Sequence, residues 1–257
     1  MDLPILYEDV YLLVINKPPG VVVNRAQSVH GETVQDFADA YLHLSPRAAS
    51  IKEKTAESIE KDIKEVFSDR SGVAHRIDKE TSGCLLIAKT PEVLGFLLTK
   101  FRERDMKKVY LAIVHGKIIP EEGEIRAPVG RLPWNPERFG ILPDGKESVT
   151  RYKVRSAFSR QSSGNSKKRR LKTESYTLVE CYPETGRTHQ IRVHLKYINH
   201  PIVGDFLYAG RKTARDDRVW APRVMLHAWK LSFDHPITGQ VLEIEAPVPD
   251  DMIKIGT

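Results

Sequence analysis

A carboxylate that performs chemistry has to be held on a bend by something rigid, and Asp78 meets that condition. It lies in His75-Arg76-Ile77-Asp78-Lys79-Glu80-Thr81-Ser82-Gly83, which opens at once into the apolar run Cys84-Leu85-Leu86-Ile87-Ala88. Asp78 and Arg76 are therefore predicted on a turn that leads into a buried strand. Charges this close to an apolar run make either a solvated turn or a functional site, and this segment alone leaves both open. A second polar cluster is Gly186-Arg187-Thr188-His189-Gln190-Ile191-Arg192-Val193-His194. With a helix beginning near Thr188, Ile191, Leu195 and Ile198 fall on its inner face. Arg192 then lies one position round, where an arginine needs a partner. In the strand pattern Lys107–Gly116, alternation puts Lys108, Tyr110 and Ala112 on one side, a position where a tyrosine ordinarily fills a core.

Several chemistries lack their residues. There is no glycine-rich phosphate loop and no serine-elbow motif. The two cysteines, Cys84 and Cys181, sit far apart in apolar runs and read as small buried hydrophobes. His189 and His194 are five apart, not the i, i+4 spacing of zinc enzymes, so no metal is expected. A formal net charge of +6 favours a polyanionic partner, most simply nucleic acid. The run Lys167-Lys168-Arg169-Arg170 reads as a solvated loop or as an arm that neutralises phosphates, and the overall charge favours the arm. A 40% hydrophobic chain with no long apolar stretch, and no basic-then-apolar start, is expected to be cytoplasmic and to have no membrane contact.

The elements that must position these residues follow from periodicity and turn chemistry. Val10–Ile15 reads as a strand, Asn16-Lys17-Pro18-Pro19-Gly20 as a turn, and Val21–Val23 as the second strand of a hairpin. Lys17 on that turn faces solvent or a phosphate. Thr33 precedes a helix with Val34, Phe37, Ala38 and Tyr41 on one face. Residues 44–70 read as a helical insertion, an excursion from the core with Ile59, Ile63 and Phe67 on its apolar face. Thr90-Pro91-Glu92 starts a helix that ends near Arg104-Asp105. Residues 161–172 form a basic hairpin tip, Arg211–Arg218 reads as mobile, and Leu226–Phe233 and Val241–Glu245 are strands. Strands joined largely by hairpins, with a few helices, predict an α+β fold around an extended mixed or antiparallel sheet with flanking helices, in one domain over residues 1–257.

Five of these stretches recur together in a known order: Asn16-Lys17-Pro18-Pro19-Gly20; His75-Arg76-Ile77-Asp78 with Thr81-Ser82-Gly83; Lys108-Val109-Tyr110-Leu111-Ala112; Gly186 to His194; and Leu226-His227-Ala228. In them, from about Tyr7 to about Pro249, the chain resembles the RluA-type RNA pseudouridine synthases. The resemblance implies a curved mixed sheet with RNA across a central cleft, an isomerase (intramolecular transferase) needing no cofactor, and Asp78 as the catalytic aspartate. It implies that Arg192 pairs with Asp78, that Tyr110 stacks on the uracil, and that Arg76 enters the RNA stack as the target nucleotide flips out. Ile191 would pack under the base, and Arg187, Lys17, Lys167, Lys168, Arg169 and Arg170 would contact substrate. Many large-subunit rRNA enzymes of this type carry a small N-terminal RNA-binding module. This chain is expected to lack that module, and so it resembles members that modify tRNA, or both tRNA and rRNA. A monomer acting on structured RNA is expected. The alternative is a non-catalytic RNA-binding or chaperone protein that retains the fold.

Overall fold

In a computed structural model, which describes residues 1–44, 57–161 and 173–256, the chain falls into two units. The first comprises Met1–Lys108 and Ala228–Pro247, the second Val109–His227 and Val248–Thr257. Elements are numbered in chain order.

In the first unit, Ile5–Glu8 (β1) pairs antiparallel with Leu12–Lys17 (β2), and β2 with Ser82–Ala88 (β3). Beyond β3 lies Leu226–Asp234 (β10), which pairs antiparallel with Val241–Glu245 (β11). Every residue of β3 is buried, as it must be where a strand has apolar side chains on both faces. Leu12, Val14 and Leu86 join Leu231 and Phe233 in one cluster, which the helix Pro91–Glu103 (α3) closes with Val93, Leu94 and Leu97. Thr90 caps α3 by accepting the Val93 amide, Pro91 fills the first turn, and Arg104 ends it in a left-handed conformation. Gly83 permits β3 to begin where it does. Its φ is +110°, and a Cβ there would stand 2.2 Å from the Ala228 carbonyl oxygen.

Two expectations for this unit need correction. Val21–Val23 is not a strand, because its carbonyls are used elsewhere: Val21 accepts from the Lys17 ammonium, and Val22 and Val23 accept the Val34 and Gln35 amides that open the helix Val34–Leu44 (α1). The helix Glu57–Arg70 (α2) bears out a helix in the second half of the 44–70 segment, but it is no excursion. Val66 and Phe67 pack on the core cluster and Ile63 stands against Gly95 of α3. Residues 45–56 lie outside the described residues.

In the second unit, Lys107–His115 (β4, all but its first two residues) pairs antiparallel with Thr173–Pro183 (β9). Val149–Gln161 (β8) pairs antiparallel with β9 on one side and with Glu122–Arg126 (β5) on the other. Val129–Leu132 (β6) and Asn135–Ile141 (β7) form a separate two-stranded sheet. There Val129, Phe139 and Ile141 pack with Tyr208 and with Val193 of Gln190–Tyr197 (α4). The basic segment predicted to be mobile is a helix, Arg211–Asp217 (α5), and Asp250–Gly256 (α6) follows at the end of the chain. Buried anchors hold α5. Ala214 is fully buried, and Asp217 accepts the Gly204 amide at 2.9 Å and meets His115 Nε2 at 3.0 Å. Together the antiparallel pairings and flanking helices make an α+β fold. The basic run Lys167–Arg170 lies outside the described residues. Among those described, no helix is long and apolar enough to cross a membrane, and no three His, Cys, Asp or Glu side chains are grouped to hold a metal ion.

Candidate active site

The Asp78 bend is tied to the strand that follows it and to the segment that precedes α1. Ala74 donates its amide to Leu86 O at 3.0 Å, and the Thr81 amide closes a turn onto Asp78 O at 3.0 Å. Ile77, Thr81 and Ser82 are buried, Asp78 is half-buried, and Arg76 and Lys79 are exposed. The loop therefore alternates inward anchors with outward polar groups.

Lys17 departs from the substrate-contacting role predicted for it. It is 0% exposed, and its ammonium donates to Pro18 O at 2.8 Å, Val21 O at 2.9 Å and Lys79 O at 3.1 Å. The Gly20 amide donates to the same Lys79 oxygen at 2.8 Å. A buried ammonium needs all three of its protons accepted, and the turn supplies three carbonyls. Lys17 thus fastens residues 18–21 to the peptide next to Asp78.

His75 is the second fastening. Its Nε2 accepts the Leu86 amide at 3.1 Å, which assigns the ring proton to Nδ1, and the ring lies 4.9 Å from that of Phe101. Burial, with a smaller contribution from the Lys108 charge, pushes the imidazole down to about 3. Burial, and then the charge of Arg104, push the Lys108 ammonium down to about 8. Neutral His75 is the form the structure requires.

In the second unit, Tyr110 is half-buried on β4, opposite Cys181 of β9. Cys181 is fully buried, and burial raises its thiol well above the ordinary range, so it acts as inert filler beside Tyr110. Arg192 stands in the first turn of α4, only 6% exposed. Its Nε and Nη2 reach Asp205 Oδ2 and Oδ1 at 2.7 and 2.9 Å, a two-pronged pair with a carboxylate that is 0% exposed. Asp205 also accepts the Leu207 and Tyr208 amides at 3.0 and 3.2 Å. The guanidinium lies 5.0 Å from the Tyr208 ring centre, and the Tyr208 hydroxyl meets His189 Nδ1 at 2.8 Å and the Phe139 amide at 3.0 Å. Asp205 and Tyr208 were missed in the sequence. Their one signal is that Arg192 needs a partner, a place that the resemblance gives to Asp78 and that Asp205 takes in the structure.

The start of α4 is as firmly held. Gln190 Oε1 accepts the Thr185 hydroxyl at 2.6 Å and the Arg187 amide at 3.0 Å, while its Nε2 donates to Val149 O at 2.9 Å and Thr150 Oγ1 at 3.0 Å. His194 spans Thr150 Oγ1 at 2.9 Å and Ala127 O at 3.0 Å. A carbonyl can only accept, so Nε2 carries the proton and Nδ1 takes the hydroxyl's. Ile191 is buried at 6% exposure and the Arg187 side chain is exposed. Of the predicted site residues, Lys17, Arg76 and Asp78 thus belong to the first unit and Tyr110, Arg187, Ile191 and Arg192 to the second.

Residues 11–197 match the family described as RNA pseudouridylate synthase. The chain is 37% identical to a ribosomal large subunit pseudouridine synthase D of Nitrosomonas europaea over 99% of its own length and 64% of that protein's. It is 39% identical to an RNA pseudouridine synthase of Bacillus subtilis, YlyB, over 99% of its length and 72% of that protein's. It therefore spans less than two thirds of the Nitrosomonas relative. Among solved structures, human RNA Pseudouridylate Synthase Domain Containing 1 superposes with a TM-score of 0.64 at 27% identity, covering 96% of this chain and 83% of that one. Human RNA Pseudouridylate Synthase Domain Containing 4 has the same fold, with a TM-score of 0.65 at 24% identity over 97% of this chain and 90% of that one. With its five signatures in order and a match over residues 11–197, the chain belongs to the RNA pseudouridylate synthase family, in its RluA-type branch.

Proposed function

We propose that this protein isomerises selected uridines in structured RNA to pseudouridine, with Asp78 as the reacting carboxylate. The observation that carries the reading is the Asp78 turn: a half-buried carboxylate on a bend whose flanking peptides are fixed by Lys17, Gly20 and His75. Fixing a charged side chain before substrate arrives lowers the reorganisation needed in the transition state.

The reaction breaks the N1–C1′ bond, turns the uracil, and joins C5 to C1′; the C5 proton is lost and N1 gains one. Substrate and product have the same atoms, so no redox partner or group donor is consumed. The carboxylate form of Asp78 acts either by attacking C1′ or by taking the C2′ proton to give a glycal. Arg192, fixed by both oxygens of Asp205, is proposed to supply the positive charge that the chemistry needs. Tyr110 supplies a flat face for the detached base and a group to help the C5 proton leave. Arg76, exposed two residues before Asp78, is suited to take the place of the flipped nucleotide in the stack.

The names of several relatives, ribosomal large subunit pseudouridine synthases, support large-subunit rRNA as the target. Mapping pseudouridines in the RNA of cells with and without this protein tests both activity and target. The reading expects one or a few rRNA uridines to lose the modification. Loss only in tRNA would reassign the target, and an unchanged map would sink the activity.

A further inference from the structure

Two groups of cations in the second unit differ in how they are paired. On and beside the half of β8 next to β5, each has a carboxylate: Arg126 with Glu124 at 2.9 Å, Arg151 with Glu184 at 2.7 Å, Lys153 with Glu122 at 2.6 Å, and Arg155 with Glu180. At the far end of β8 and on α5 the pattern changes. Among the described residues, Arg160, Arg211, Lys212 and Arg215 form no ion pair, and all four are exposed.

Packing brings this second set onto one framework. Arg160 lies over the Trp220 ring at 4.5 Å, Trp220 meets Tyr176 of β9 edge-on at 5.1 Å, and Tyr176 stacks with Phe158 at 5.7 Å. Asp217, at the end of α5, is bound to His115 of β4. The helix is therefore pinned to β4 through buried Asp217, and the Trp220 that follows it rests on β9, while the cations of α5 are left outside. Arg211 and Arg215 are one turn apart on one face, with Lys212 beside them. The exposed Asp216 offsets one of these charges and leaves the surface positive.

We propose that Arg160, Arg211, Lys212 and Arg215 form a docking surface for the phosphate backbone of structured RNA, outside the target nucleotide. The inference rests on the reading that RNA is the substrate. Desolvated or paired cations contribute little to a polyanion, whereas solvated, unpaired ones release counterions when phosphates replace them. The Trp220 face is already covered by Arg160, so this surface favours phosphates over stacked bases.

The test compares Arg211→Gln/Lys212→Gln/Arg215→Gln with a charge-matched control, Arg126→Gln/Arg151→Gln/Lys153→Gln, in binding to a short RNA hairpin of arbitrary sequence. Three lost phosphate contacts reduce the slope of log affinity against log salt by about 2 to 3, so between about 50 and 200 mM salt the wild type loses about twenty to forty times more affinity than the variant. The control is expected to keep the wild-type slope. Single Arg211→Gln and Arg215→Gln proteins, each with a slope reduced by about 0.7 to 0.9, give the same readout should the triple variant not fold.

Equal slopes for variant, control and wild type overturn the surface. So does an equal loss in variant and control, which makes it net charge alone, or a wild type that prefers a polyglutamate peptide to the hairpin, which makes the partner an acidic protein. A wild type that binds with the expected salt dependence but forms no pseudouridine supports this surface and refutes only the Asp78 chemistry.

Discussion

Replacing His75 by Gln removes the one histidine of the Asp78 loop while leaving an acceptor for the Leu86 amide. In the folded protein the ring is held down to about 3, chiefly by burial, whereas in the unfolded chain it titrates near 6.5. The folded value lies below the unfolded one, so the unfolded chain takes up the proton first as pH falls. The neutral ring's contribution is complete above about pH 6.5 and is lost below it, at about 1.4 kcal/mol per pH unit, until the folded ring itself titrates. Between pH 7.5 and pH 5.0 the loss comes to about 2 kcal/mol. Urea unfolding of wild type and His75→Gln at both pH values measures this directly. The wild type is expected to lose about 2 kcal/mol more than the variant across that interval. Parallel losses in the two proteins would refute the assignment of His75 as a neutral, amide-accepting anchor.

Two single substitutions probe the supports, and a third change tests the basic run. Lys17→Met leaves the Pro18 and Val21 carbonyls without their donor and is expected to cost about 3 kcal/mol or more of stability; in a turnover assay kcat falls while KM changes little, and a raised KM with kcat intact would instead mean that Lys17 meets RNA. Asp205→Ala strands the buried Arg192 charge and should cost about 3 to 5 kcal/mol by chemical denaturation, with a near-normal midpoint contradicting the buried pair. Neutralising Lys167, Lys168, Arg169 and Arg170 should flatten the salt dependence of RNA binding without slowing the chemical step in single-turnover kinetics; an unchanged slope would make that run a solvated loop.

What could be read from the sequence was local. The Asp78 turn and β3 declared themselves by a charge cluster running into an apolar strand, and α3 by Thr90 and Pro91. Alternation placed Tyr110 on β4 and periodicity placed Arg192 beside the inner face of α4, while their roles came only from the family resemblance. What could not be read depends on groups distant in the chain. Val21–Val23 has a strand's composition, yet its carbonyls are taken by Lys17 and by the amides that start α1. The segment Arg211–Asp217 has a loop's composition, yet Asp217 fixes it by reaching Gly204 and His115. Lys17 looks like a surface residue until the three carbonyls around it are seen. Asp205 was not legible as a partner of Arg192, because no periodicity points to a partner across a turn.

The central claim is that Asp78 carries the isomerisation. Quantifying pseudouridine in rRNA after incubation with wild type, Asp78→Asn and Asp78→Ala, alongside RNA binding by each, tests it most directly. The account predicts product from the wild type alone, with all three binding RNA to a similar degree. Pseudouridine formed by Asp78→Ala would contradict it.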